Sequence, residues 1–173
     1  MALESMQDLL IHQLQDIYSA EKMLVKALPK AIERASAAEL KTALQDHLSE
    51  TQEQVGRLDR IFKILDESTG GTKCKAMEGL IAEVEEMLDE DGNDAVIDAG
   101  IIADAQRIEH YEIAAYGSAK AFAALLGLAD VVQLLSESQV EETAADKKLS
   151  LIATTDVNAR AAGTDPSMAA RAS

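Results

Sequence analysis

The chain has no tryptophan, one cysteine, two prolines and only 3% aromatic residues among its 173 positions. A single cysteine, Cys74, cannot form an intrachain disulfide and offers no paired-thiolate metal motif, which fits a reducing compartment. Beside Gly70-Gly71, it reads as a surface thiol. Val, Ile and aromatic residues are too dispersed to build a sheet. No apolar run reaches membrane-spanning length, and residues 1–15 lack the basic-then-apolar form of a secretory signal. A cytoplasmic, soluble protein with no membrane partner is therefore expected. Basic residues are scarce as well: 16 Lys and Arg stand against 31 Asp and Glu, a formal charge of −15. Such a chain repels phosphate backbones, so no nucleic-acid partner is expected.

What is present is helix-forming. The chain is 47% hydrophobic, rich in Ala, Leu, Glu, Lys and Gln, and of a length that suits one domain. The reading is all-α. Helical periodicity runs from Leu3 to Leu28, where Pro29 bends or ends the helix although the apolar pattern continues to Ile32. It returns over Ala38 to Leu65, over a shorter stretch from Met77 to Leu88, from Asp94 to about Leu126, and from Asp130 past Ile152. Gly70-Gly71 and Gly127 mark breaks. Two short connections and one long one give two antiparallel hairpins joined by a crossover that carries a short extra helix. The bundle is expected to occupy residues 1–157, and the Ala, Gly, Ser and Arg-rich residues 158–173 to form a mobile tail.

Several acids fall on the wrong faces. When each helix is turned by ~100° per residue, Glu21 lies between Ile17 and Leu24, at the centre of an apolar stripe. Glu109 and Glu112 lie within the stripe of Ile101, Ala105, Ile108 and Tyr116. Glu142 lies between Leu135 and Leu149, with Asp146 toward the edge. On the second helix His47 faces inward with Leu44, Leu48 and Leu58, Glu50 sits at the border, and Glu53 faces solvent. A lone inward Glu is ordinarily a snorkelling side chain or half of a buried ion pair.

Depth argues otherwise. Glu21 is 14 residues before Ala35 at the first turn, and Ser49, next to Glu50, is 14 beyond it. Glu109 is 18 residues before Gly127, and Ala145, between Glu142 and Asp146, is 18 beyond. A faint repeat relates the hairpins: Asp16 and Glu21 match Asp104 and Glu109 at an offset of 88, and Glu50-Thr51 matches Glu142-Thr143 at 92. Carboxylates that meet at one depth in an apolar core must stay protonated or be neutralised. With few basic residues on those faces, metal cations are the economical solution, and oxygen donors with one imidazole suit iron or manganese.

These residues carry a resemblance. The stretches Ile11-His12-Gln13-Leu14-Gln15-Asp16-Ile17-Tyr18-Ser19-Ala20-Glu21-Lys22, Lys26-Ala27-Leu28-Pro29-Lys30, His47-Leu48-Ser49-Glu50-Thr51 and Arg107-Ile108-Glu109-His110-Tyr111-Glu112 resemble the YciF/YciE-like family of ferritin-like stress proteins. The resemblance implies a ferritin-like antiparallel four-helix bundle, a homodimer, and a dinuclear centre of two iron ions, or alternatively manganese. It supports Glu21, Glu50, Glu109 and Glu142 as metal ligands first, with His47, Glu112 and Asp146 completing the set. The sequence departs from the superfamily's Glu-x-x-His pairs. The third residue after Glu50 is Glu53, and after Glu142 it is Ala145. Two functions are implied: a redox centre that oxidises Fe²⁺ or removes peroxide in a stress response, or a non-catalytic bundle stapled by metal. Exposed apolar positions such as Leu10 and Val132 are expected to mark a partner face.

Overall fold

The computed structural model describes residues 3–71 and 73–164. They form α1 (Met6–Arg34), α2 (Ala38–Leu65), α3 (Lys75–Asp89), α4 (Asp94–Leu125) and α5 (Ala129–Ile152). A π-helical turn, Ala153–Val157, leads from α5 into the short α6 (Asn158–Ala161). No strand occurs among the described residues.

The ends of the helices follow from local chemistry. Ser5 opens α1 with a capping box, its side chain accepting from the Asp8 N–H while Asp8 accepts from the Ser5 N–H. Asn93 caps α4 by accepting from the Ala95 N–H at 2.9 Å. Gly127 ends α4 with φ +72°. The Gly127 and Leu128 N–H groups turn back onto the Ala124 and Ala123 carbonyls, the paired bonds of a Schellman motif. Pro29 does not end α1, which continues to Arg34 with Ala31 buried on its inner face. The burial of that last turn outweighs the loss of one helical donor. At the C-terminal side the helical course runs past residue 157, with Ala159 buried. The rest of the stretch read as a tail, from residue 165 onward, lies outside the described residues.

The four long helices form the expected antiparallel ring, in which α1 neighbours α2, α2 neighbours α5, α5 neighbours α4 and α4 neighbours α1. The crossover helix α3 lies across α1 and α4. Asp98 locks the two hairpins together. It is fully buried on α4, and it accepts from the Ser36 N–H at 2.8 Å, the Ser36 hydroxyl at 2.6 Å and the Ala37 N–H at 2.9 Å. These bonds satisfy the α1–α2 turn, whose backbone donors have no helical partner.

The core has two apolar halves. One contains Leu24, Leu28, Leu40, Leu44, Ile101 and Ile152. The other contains Leu10, Leu14, Leu58, Phe62, Val131 and Leu135. Leu10, expected at a partner face, is therefore core, and Val132 is half-buried against the same half. Cys74, expected at the surface, is buried and caps α3, its sulfur accepting from the Met77 N–H at 3.4 Å. No helix of the described residues is long and apolar enough to cross a membrane. Replacing Asp98 by Ala strands buried donors of the turn, so the substitution is expected to lower unfolding free energy by about 3 kcal/mol. Urea denaturation checks this, and an unchanged midpoint would contradict it.

Candidate metal centre

Between the two apolar halves lies a polar layer. His47 from α2, Glu109 and Glu112 from α4 and Glu142 from α5 are all buried, and each offers a donor atom within 4.8 Å of the others. Glu21 from α1 is fully buried beside them. Its position is held by Tyr116, whose hydroxyl donates to Glu21 Oε1.

The sequence brings them together by spacing. On α2 the inward positions are Leu44, His47, Thr51, Gln54 and Leu58, alternate steps of three and four along one face. On α4, Ile108, Glu109, Glu112 and Tyr116 are buried. On α5, Leu135, Ser138, Glu142 and Leu149 are buried. One polar residue thus replaces an apolar one at the same height on each helix, two of them on α4.

The layer is electrostatically unfinished. Glu21 Oε2, Glu109 Oε2, Glu142 Oε2, both oxygens of Glu112 and both nitrogens of His47 are buried without a hydrogen-bond partner. His47 Nε2 lies 3.3 Å from Glu109 Oε1, but the pair lacks hydrogen-bond geometry. Burial, and then the charge of Glu142, push Glu21 well above the usual carboxylate range. Burial, then a hydrogen bond with Glu142, do the same to Glu109, while burial and the charges of Glu21 and Glu142 act on Glu112. Glu142 is raised to about 6, first by burial, against hydrogen bonds from Glu109 and Gln54 that lower it. Burial holds His47 down to about 4, so its imidazole is neutral at pH 7 and its lone pair is free to bind a cation.

Magnitudes decide what such a layer needs. Two carboxylates about 4 Å apart repel by roughly 4 kcal/mol at an effective dielectric of about 20. Three or four such pairs, roughly 12–16 kcal/mol, would match or exceed the roughly 5–15 kcal/mol that holds a domain folded. The group must be protonated or neutralised by cations. The donors fit a hard divalent metal: carboxylate oxygens and one neutral imidazole, close together and unsatisfied.

The remaining sequence-expected residues lie at the margin of this group. Glu50 is half-exposed on α2, with Oε2 4.0 Å from His47 Nδ1. Asp146 accepts from Gln106 Nε2 at 2.8 Å and sits 3.4 Å from the exposed His110. Periodicity missed Gln54, which is fully buried and donates to Glu142 Oε1 and, at 3.1 Å, to Glu141 Oε2. It also missed Arg57, which grips both oxygens of Glu141 at 2.5 Å. The signal was available, since Gln54 stands seven residues after His47 and four before Leu58.

Comparison with known proteins places the chain. Residues 5–162 match the family model described as a domain of unknown function, DUF892. The chain is 42% identical over 164 residues to protein YciF of Escherichia coli K12, covering 93% of this chain and 98% of that one. The crystal structure of the E. coli stress protein YciF superposes with a TM-score of 0.86 over 90% of this chain and 98% of that one, at 41% identity. YcfI from Rhodopseudomonas palustris gives 0.83 at 47% identity, over 86% and 94%. A protein of Xanthomonas campestris, 23% identical, shares the fold with a TM-score of 0.70 over 90% and 95%.

A pH dependence follows for metal-free protein. Carboxyls whose folded pKa is raised stabilise the fold below their unfolded value near 4.5 and lose that contribution as pH rises through the folded value. His47 acts with the opposite sign, because the unfolded imidazole takes up a proton below 6.5 that the folded one refuses until about 4. Well above pH 6.5 the unfolded imidazole is neutral too, so His47 no longer contributes, and Glu142, at about 6, is mostly ionised. Glu21, Glu109 and Glu112, held well above the usual range, then set the slope. The melting temperature of chelator-treated protein is expected to fall from about pH 7.5 to about 8.5, and Glu112→Gln to flatten the fall. A melting temperature that rises or stays level in wild type over that interval would contradict the assignment.

Proposed function

This chain belongs to the DUF892 family, and from that premise we propose that its core holds a dinuclear metal centre of ferritin-like type, with iron as the resident ion and manganese as the alternative. One observation carries the reading: five buried side chains on all four long helices converge, each with at least one donor atom unpartnered. His47, Glu109, Glu112 and Glu142 would hold the ions, with Glu21 as the fifth donor. Four carboxylates balance the charge of two divalent cations, and neutral His47 adds a ligand without adding charge. That balance favours two ions over one.

When bound, the ions would supply redox chemistry toward Fe²⁺, dioxygen or peroxide. The protein's own part is to aim and insulate. Tyr116 donates to one oxygen of Glu21 and leaves the other for the ion. Gln54 donates to one oxygen of Glu142 and leaves its partner free. Such supporting hydrogen bonds fix ligand orientation in metal sites. Leu44 and Leu149 on one side and Leu14 and Leu135 on the other bound the layer with buried apolar side chains. The relative in E. coli is described as a stress protein, and removal of reactive iron or peroxide is a role that such a centre serves.

The second reading, a metal-stapled bundle without turnover, uses the same site and predicts a different outcome. Anaerobic Fe²⁺ titration is expected to saturate at two equivalents per chain. For each ion bound, iron at about one hundred times its dissociation constant adds roughly 2.7 kcal/mol to stability, or about 5–10 °C in melting temperature. Glu112→Gln should abolish both effects. Oxygen or peroxide consumption with Fe²⁺ should fall at least roughly tenfold in Glu21→Ala. Equal rates in wild type and Glu21→Ala, with binding intact, would leave the non-catalytic reading. No iron or manganese bound at all would remove both.

A further inference from the structure

A buried centre needs a way in. The four seams between the long helices differ in what they offer. The α1–α2 and α4–α5 seams are closely packed hairpins, and α3 packs over part of the α1–α4 seam. The cavity left on that seam, about 540 Å³ between Asp16, Cys74 and Tyr111, is lined by none of the five buried ligands. The α2–α5 seam carries no crossing element among the described residues. It holds a cavity of about 360 Å³ that reaches from the surface to the polar layer. Small residues keep it open, with Ala43 and Ser49 on the α2 side and Ala144 and Ala145 on the α5 side. At the next level of the same seam, Gln54 and Arg57 bond across to Glu141 and Glu142 and close it.

The walls of this cavity change in character with depth. At the mouth stand Asp46, Glu50 and Lys148, and Lys148 is tied to Asp46 at 2.7 Å. With Lys148 engaged, Glu50 is the acid left to face an incoming ion. At the floor stand His47 and Glu109, 5% and 2% exposed. The imidazole of His47 spans the two zones. Nδ1 lies 4.0 Å from the Glu50 carboxylate, and Nε2 lies 3.3 Å from Glu109 Oε1. Neither nitrogen has a hydrogen-bond partner. An unpartnered, buried imidazole between a half-exposed carboxylate and a buried one is unexplained by packing, since either nitrogen could have been satisfied by a single polar neighbour.

We propose that the α2–α5 cavity is the route by which divalent cations reach the core, and that Glu50 is the entry ligand that passes each cation to His47 and Glu109. The proposal rests on the metal-centre reading above. It gives Glu50 a role that its position supports: it lies outside the group of four buried ligands yet beside one of them. It also accounts for Ala144-Ala145, where α5 lines the cavity with small side chains in place of the large apolar residues that its inner face carries elsewhere. Sequential hard donors at decreasing exposure let a hydrated cation exchange waters for protein oxygens a few at a time, which avoids desolvating it in one step.

The test uses Co²⁺ added to metal-free full-length protein, with loading followed by stopped-flow absorbance and final stoichiometry by titration. Ala145→Leu plugs the cavity, and Ala144→Leu at an exposed neighbouring position serves the same purpose with less risk to folding. Either is expected to slow loading about tenfold or more, and Glu50→Gln to slow it by a comparable factor, with final stoichiometry unchanged. Lys148→Gln, which removes the cation at the mouth, is expected to speed loading. Wild-type loading rates in both plugged variants would overturn the route. A lowered stoichiometry in Glu50→Gln would make Glu50 a resident ligand and overturn its role at the entrance. Failure of wild type to bind Co²⁺, Fe²⁺ or Mn²⁺ would instead overturn the metal centre itself, and the route with it.

Discussion

The structure depends on one constraint: carboxylates placed at a single level of an apolar bundle must be neutralised. Glu21, Glu109, Glu112 and Glu142 are each under 3% exposed, and most of their free oxygens meet no protein donor. The layer separates the two halves of the core. Each half packs by the ordinary rules of helical bundles, so the halves set the spacing of the helices and the layer inherits it. Stability and chemistry are coupled for this reason. Whatever neutralises the acids, protons or metal ions, also decides how well the two halves are held together.

Support for the layer comes from residues that bind nothing themselves. Arg57 holds Glu141 through both oxygens, Glu141 accepts from Gln54, and Gln54 donates to Glu142. A largely buried ion pair thereby fixes a core carboxylate. On the opposite side, Tyr111 donates to Asp16 at 2.5 Å and lies 3.0 Å from the Cys74 sulfur, and Cys74 accepts a bond at the start of α3. The crossover helix is thus anchored to α1 and α4 next to the layer. Burial and the hydrogen bond to Asp16 push the Tyr111 hydroxyl up, and burial raises the Cys74 thiol. The lone cysteine therefore stays protonated and serves as a helix cap.

Most of the scaffold was legible in the sequence. The bounds of α2 are those that its periodicity predicts, and Gly127 ends α4 as expected. The inward faces of Glu21, Glu109, Glu112 and Glu142 were also legible, because an acid at the centre of an apolar stripe is unambiguous. Less was legible at the borders of stripes. Glu50 and Gln54 differ by four residues, about 40° around the helix, and both lie near the edge that an apolar-residue count defines. Polar residues carry no weight in that count, so the fully buried Thr51 and Gln54 were passed over. Leu10 read as exposed because nothing in α1 alone shows that Leu58, Phe62 and Val131 close over it.

The sequence by itself determined that four amphipathic helices form two hairpins, that a crossover joins them, and that each hairpin carries acids at one depth. These are consequences of local periodicity and loop length, which act along the chain. Only the tertiary structure decided which donors meet. It brought His47 rather than Glu50 into the group, paired Tyr116 with Glu21 and Gln54 with Glu142, turned Asp146 toward Gln106 and His110, and left a cavity open on the α2–α5 seam. The reason is geometric. Periodicity gives the face of a helix to within one side chain, whereas ligation depends on distances of a few ångströms between side chains on different helices, and packing sets those distances.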